Sequence, residues 1–179
     1  MRRVIESTLV SLDGVIGDPQ VWANEYFDDE ATALAHQQLV ASDAMLMGRR
    51  TYEMFAATSP GYSSEYAKRM NNIPKYVFSS TLDAVEWANS VIVSGDPARA
   101  VAELKQQGDG DLVMYGHGPL ARALLERRLL DELRLWIHPL LVGHGTLLFR
   151  EGPKAALNLA ATQTLTSGVV ILTYRPART

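Results

Sequence analysis

The chain has 179 residues, 47% of them hydrophobic, with 20 acidic against 17 basic side chains and a formal net charge of −3. That length and apolar content suit one folded domain over 1–179, and the mild acidic balance argues against a nucleic-acid surface, which needs a basic patch. The chain contains no cysteine, which excludes disulfides, thiolate metal sites and cysteine nucleophiles.

The opening stretch MRRVIESTLVSLDG has two arginines but then Glu6, Ser7 and Thr8 where a signal peptide needs an apolar run. It reads as a strand leading into the turn SLDGVIGDP, and a cytoplasmic location is the expectation. DDEATALAHQQLVAS follows as a helix, its acids Asp28, Asp29 and Glu30 suiting the positive end of the helix dipole. DAMLMG reads as a buried strand, RRTYEMFAA and SSEYAKRMNN as helices, and KYVFSS and NSVIVSG as strands. DPARAVAELKQQG is a marked helix, with Pro97 in its first turn and Gly108 ending it. Strand LVMY, a glycine turn and helix LARALLERRLL come next. DELRLWIHPLLVG, LNLAATQTLTSG and VVILTYRPA then read as strands with no long helix between them, and TSG as a hairpin turn. Strand–helix alternation followed by a strand-rich end predicts an α/β fold, a mixed, mostly parallel sheet flanked by helices.

Three strand ends carry residues suited to a phosphorylated ligand. In MLMGRRTYE, Gly48 ends a strand while Arg49, Arg50 and Thr51 open a helix. Arginines oppose the dipole at that end unless an anion sits there, held by guanidinium, hydroxyl and free backbone N–H groups. In YVFSSTLD, Ser79, Ser80 and Thr81 offer three consecutive hydroxyls. In Gly116-His117-Gly118-Pro119-Leu120 the pattern G-x-G-x-x-A is met with Ala121 in last place. The glycines permit close backbone approach, and Pro119 suits a first helical turn. An NAD-type Rossmann turn sits early in its domain and is followed by an acid about 20 residues on. Here the turn is late and that acid is missing, so basic residues near Gly48 point instead to NADP.

The ordered segments SLDGVIGDPQVW, MLMGRRTYE, YVFSS, LVMYGHGPLARALLERRLLDELRLWIHPLLVGHGTLLF and SGVVILTYRP resemble, over nearly the whole chain, the reductase domain of the bacterial riboflavin-biosynthesis deaminase–reductase, which has the dihydrofolate reductase-like three-layer fold. The resemblance implies NADPH as hydride donor and a homodimer. It implies that Arg49, Arg50 and Thr51 hold phosphates, that Ser79 and Ser80 lie by the 2′-phosphate, and that Gly116 to Leu120 cradle the pyrophosphate. It further places Gly14, Val15 and Ile16 along the nicotinamide and substrate, and Trp22 on a mobile loop beside the substrate. A reduced C=N or C=O carbon is implied, with a riboflavin-pathway pyrimidine of the 5-amino-6-(5-phosphoribosylamino)uracil kind as one substrate.

Asp13 is the acid nearest this predicted cleft in the sequence, so Asp13 and Ser11 are the candidate catalytic and substrate contacts; Asp13-Gly14 also reads as a plain turn. Glu6, inside a predicted strand, faces either the cleft or an edge. His36, His117, His138 and His144 lack a metal-ligand spacing, and no metal is expected. The alternative to a reductase is a non-catalytic NADP(H)-binding or sensing module on the same fold. An open pocket lined by Ser11, Asp13 and Trp22 favours the enzyme, and a filled one favours the binding module.

Overall fold

Strand β1 (Val4–Ser11) is buried along almost its whole length, because it runs through the middle of a sheet covered on both faces. The computed structural model describes residues 1–150 and 154–177. After β1 come a short helix α1 (Pro19–Trp22), a 3-10 turn (Asn24–Tyr26), α2 (Asp29–Val40), β2 (Ser42–Gly48) and α3 (Arg49–Thr58). Next are α4 (Glu65–Asn72), β3 (Lys75–Phe78), β4 (Ser90–Val93), α5 (Pro97–Leu104) and β5 (Asp111–Tyr115). The chain continues with α6 (Pro119–Glu126), β6 (Glu132–His138), β7 (Leu157–Thr164) and β8 (Val170–Pro176). No helix among the described residues is long and apolar enough to cross a membrane.

The sheet order is β4-β3-β2-β5-β1-β6-β8-β7. The first six strands are parallel, while β8 runs antiparallel to both β6 and β7. This is the dihydrofolate reductase-like three-layer arrangement, a mostly parallel sheet with an antiparallel C-terminal end. Alternation along β2 divides the core. Ala44 and Leu46 join Val101, Leu120 and Leu124 under α5 and α6, whereas Met45 and Met47 join Leu39, Tyr52 and Met70 under α2, α3 and α4.

Local chemistry explains most boundaries. Asp28, Ser64 and Asp96 each accept a backbone N–H at the start of α2, α4 and α5. Two helices end earlier than their sequence patterns suggest. At the end of α5 the buried Lys105 ammonium turns to Leu129 O and Asp131. After α6, Arg128 adopts a left-handed φ of 56°, and the N–H groups of Leu129 and Leu130 both return to Leu124 O. The strand expected over 131–143 stops at His138, because Pro139 has no N–H for the ladder. Residues beyond it fold back on the first loop, with Ile16 N–H donating to Thr146 O and Leu148 N–H to Gly14 O. The Thr166–Gly168 hairpin forms as its residues predict, with Gly168 at φ 88°. Helix α1 had no sequence signal beyond Pro19 and lies in what reads as a turn.

Candidate functional site

A cleft of about 1490 Å³ opens at the carboxyl ends of β1, β2, β3, β4 and β5, the end where open α/β sheets bind ligands. It gathers Gly48, Arg49, Arg50 and Thr51 from the β2–α3 junction, Ser79 and Ser80 after β3, and Gly116 to Arg122 after β5. The helices that start here differ from α2, α4 and α5, whose caps are side chains. The caps of α3 and α6 are Gly48 and Gly118, and neither supplies a side-chain acceptor. Their first N–H groups therefore face the cleft without a side-chain partner, a ready anion position. Arg49 reaches Thr81 Oγ1 at 3.3 Å and Glu53 at 3.7 Å and stays about half exposed; Arg50 is exposed on the cleft. Ser79 ties its own loop by accepting from the N–H groups of Thr81 and Leu82, both at 3.1 Å.

In the glycine turn, Gly116 has φ 74° and donates its N–H to Ser7 O at 3.1 Å. A β-carbon at Gly116 or Gly118 would meet nothing within 4 Å, so the space above the turn is open to a ligand. His117 stands between the two glycines, and its imidazole turns inward. Nδ1 lies 2.8 Å from Glu6 Oε1, with the carboxylate fully buried in β1, and the ring meets the edge or face of Phe149 at 5.1 Å and 71°. Thr8 Oγ1 also donates to Glu6 Oε1 at 3.2 Å. Glu6 thus anchors the turn from beneath, the role that its position inside a strand left open.

The first loop has a different arrangement from the expected one. Ile16 lines the cleft, but Ser11, Asp13, Gly14, Val15 and Trp22 are not among its lining residues. Ser11 Oγ donates to Asp13 at 2.5 Å and accepts from Val15 N–H at 2.8 Å. The Asp13 carboxylate accepts from Val142 N–H at 3.1 Å and Gly143 N–H at 2.7 Å. The Ser11 hydroxyl, aided by those two backbone donors, lowers Asp13 from 3.8 to about 2, which makes it a fixed anionic clamp. Gly14 turns at φ 88°, and Val15 is buried in a bridge to Leu147. Trp22 is buried as well. Its Nε1 donates to Gly17 O at 2.8 Å and its ring crosses His138 edge-on at 5.3 Å. Burial lowers the pKa of His138, whose Nδ1 sits 2.8 Å from Trp136 O.

The rest of the cleft lies between the sheet and helices α2, α3 and α4. Its walls include Ser7 of β1, Gln38 of α2, Phe55 of α3, Tyr66 of α4, Tyr115 of β5 and Trp136 of β6. Trp136 stacks on Phe27 at 6.0 Å and 15°, and its Nε1 donates to Ser7 Oγ at 3.1 Å. Burial and the adjacent Tyr66 phenol hold the Tyr115 pKa well above its ordinary value, so its hydroxyl keeps its proton at neutral pH. Sequence reasoning missed this half. Tyr115 had a signal, since it is the last residue before the glycine turn; the others come from five elements with no common spacing. Among the described residues no three His, Cys, Asp or Glu side chains are grouped to hold a metal ion.

Comparison with known proteins agrees with this geometry. The family described as the RibD C-terminal domain matches residues 2–171. A Bacillus subtilis protein, the uncharacterized protein YyaP, is 29% identical over 97% of this chain and 94% of its own length. A pyrimidine reductase-like protein from Corynebacterium diphtheriae superposes with a TM-score of 0.70 at 13% identity, covering 99% of this chain and 93% of its own. Dihydrofolate reductase from Enterococcus faecalis, solved with NADP(H), gives a TM-score of 0.65 at 14% identity, covering 98% and 97%. The two structures establish likeness of fold.

Proposed function

Because this chain belongs to the RibD C-terminal domain family, we propose that it is an NADPH-dependent reductase acting on a C=N or C=O carbon of a small flat substrate, for which the pyrimidines of riboflavin synthesis are the class the family suggests. The observation that carries the reading is the pair of helix N-termini, α3 and α6, that open into one cleft without side-chain caps and beside Arg49 and Arg50. A dinucleotide with a third phosphate fits that set of donors. The N–H groups after Gly48, with Arg49, Arg50 and Thr51, hold one phosphate group, Ser79 and Ser80 flank the 2′-phosphate, and the open backbone from Gly116 to Leu120 receives the pyrophosphate. Ile16 packs along the nicotinamide side.

When bound, NADPH supplies the hydride. The protein's contribution is position: the glycine turn, held from below by Glu6 and His117, would hold the dinucleotide, and the aromatic half would hold the acceptor. The Asp13 carboxylate is committed to Val142 and Gly143, so the proton for the reduced product comes from another side chain or from water.

Equilibrium titration tests the reading. NADPH is expected to bind at least tenfold more tightly than NADH, and Arg49→Ala with Arg50→Ala to erase most of that difference. Tight NADPH binding without turnover of any C=N or C=O compound would favour the non-catalytic nucleotide-binding module instead. Equal affinity for the two nucleotides would remove the phosphate assignments.

A further inference from the structure

The cations of the cleft lie at one end of it. Among the described residues that line it, the lysine and arginine side chains are Arg49, Arg50 and Arg122, all at the N-terminal ends of α3 and α6. The part between the sheet and α2–α4 is walled by aromatic rings, hydroxyls and the Gln38 amide. Behind this wall, the Arg134 guanidinium is already engaged. It donates to Glu132 Oε1, at 2.7 Å from Nε and 2.6 Å from Nη2, and to Gln38 Oε1 at 2.9 Å.

That last bond has a chemical consequence. A guanidinium only donates, so it fixes the Gln38 oxygen toward Arg134 and leaves the Nε2 hydrogens pointing elsewhere. One of those hydrogens serves the Tyr115 oxygen, which leaves the amide one hydrogen more, and Gln38 lines the cleft. The wall therefore presents a neutral donor at a defined place, beside the stacked pair Trp136 and Phe27. A phosphate monoester carries a charge of about −1.5 to −2 at pH 7. Desolvating it against such a wall, with no cation to meet it, is strongly unfavourable.

We propose that this half of the cleft takes an uncharged, phosphate-free planar ring, whose carbonyl oxygen or ring nitrogen accepts from Gln38 Nε2, and that the phosphate positions of the cleft serve the dinucleotide alone. The proposal rests on the reductase reading above and narrows its substrate. Arg134 acts through Gln38 as a positioning residue.

The test is equilibrium dialysis of NADPH-saturated protein against two matched pairs of probes: uridine with uridine 5′-phosphate, and riboflavin with its 5′-phosphate. In at least one pair the unphosphorylated member is expected to bind at least tenfold more tightly. Gln38→Glu, which keeps an acceptor for Arg134 and removes the donor, is expected to lower that binding at least tenfold. Thr58→Arg, a cation added at the cleft wall, is expected to narrow the gap within the pair at least threefold. Equal or tighter binding of the phosphorylated members overturns the proposal, and so does failure of all four probes to bind while NADPH binds. Failure of NADPH itself to bind is a separate result, which sinks the reductase reading and this inference with it.

Discussion

Asp13 shows how one carboxylate can be read two ways from sequence and have a single use in the fold. Its nearness to the predicted cleft made it a candidate acid, and its place before Gly14 made it a turn residue. The carboxylate joins the first loop to the segment after β6 through Val142 and Gly143, with the Ser11 hydroxyl as third donor. These donors favour the charged form and bring the pKa down from 3.8 to about 2. The consequence for stability has a definite sign. The unfolded chain binds the proton first as pH falls, so the contribution of the clamp is complete above about 3.8 and is lost as pH drops through about 2. Thermal midpoints of the protein and of Asp13→Asn are therefore expected to differ by a constant amount above pH 4 and to converge towards pH 2. A difference that persists unchanged to pH 2 would remove the carboxylate from this role. Gly14, Val15 and Trp22 belong with it as parts of the loop that the clamp holds, while Ile16 and the residues from Gly17 to Gln20 line the cleft.

Helix α3 separates stability from binding at the level of an element. Gly48 sits at its cap with φ −80° and ψ 171°, a conformation open to any residue, and an added β-carbon meets nothing within 4 Å. Ordinary capping logic asks for Asp at this position, as Asp28 and Asp96 provide for α2 and α5. Gly48→Asp is expected to raise stability by about 0.5 kcal/mol through the cap and the dipole. The same carboxylate beside the phosphate position is expected to weaken NADPH binding tenfold or more. Denaturant midpoints and nucleotide titration on this one variant read the two effects, and a gain or loss in both together would argue against an anion site at the start of α3. Helix starts of this kind were legible in the sequence because capping is local: Asp28, Pro97 and Pro119 announce α2, α5 and α6 within a few residues. Helix ends were less so, since α5 stops where Lys105 turns to Leu129 and Asp131, and α6 stops before a left-handed Arg128 that carries no glycine signal. The proposed nucleotide half of the site was readable for the same reason as the helix starts. Its donors lie in three short runs, each directly after a strand.

The whole molecule depends on how β1, β2 and β5 come together, and that order was not visible in the chain. Strand–helix alternation implied a parallel sheet, but the placing of β5 between β2 and β1 arises from packing of α5 and α6 on one face and α2, α3 and α4 on the other. The aromatic half of the cleft is assembled by that order: Ser7 and Tyr115 are register partners on β1 and β5, although 108 positions separate them in the sequence. A site whose walls run from Ser7 to Leu148 and rest on the central strands cannot persist when the sheet unfolds, so a bound dinucleotide stabilises the global fold rather than one loop. At a free NADPH concentration of 100 Kd the linkage amounts to about 2.7 kcal/mol. For a chain of this size each kcal/mol moves the midpoint by roughly 2–4 °C, which predicts a rise of about 5–10 °C in a single transition. NADH at the same concentration is expected to give a smaller rise, and the double variant Arg49→Ala, Arg50→Ala to bring the NADPH shift down to it. Calorimetry decides between this and a local effect: protection of the loops alone would leave the main transition where it stands without nucleotide.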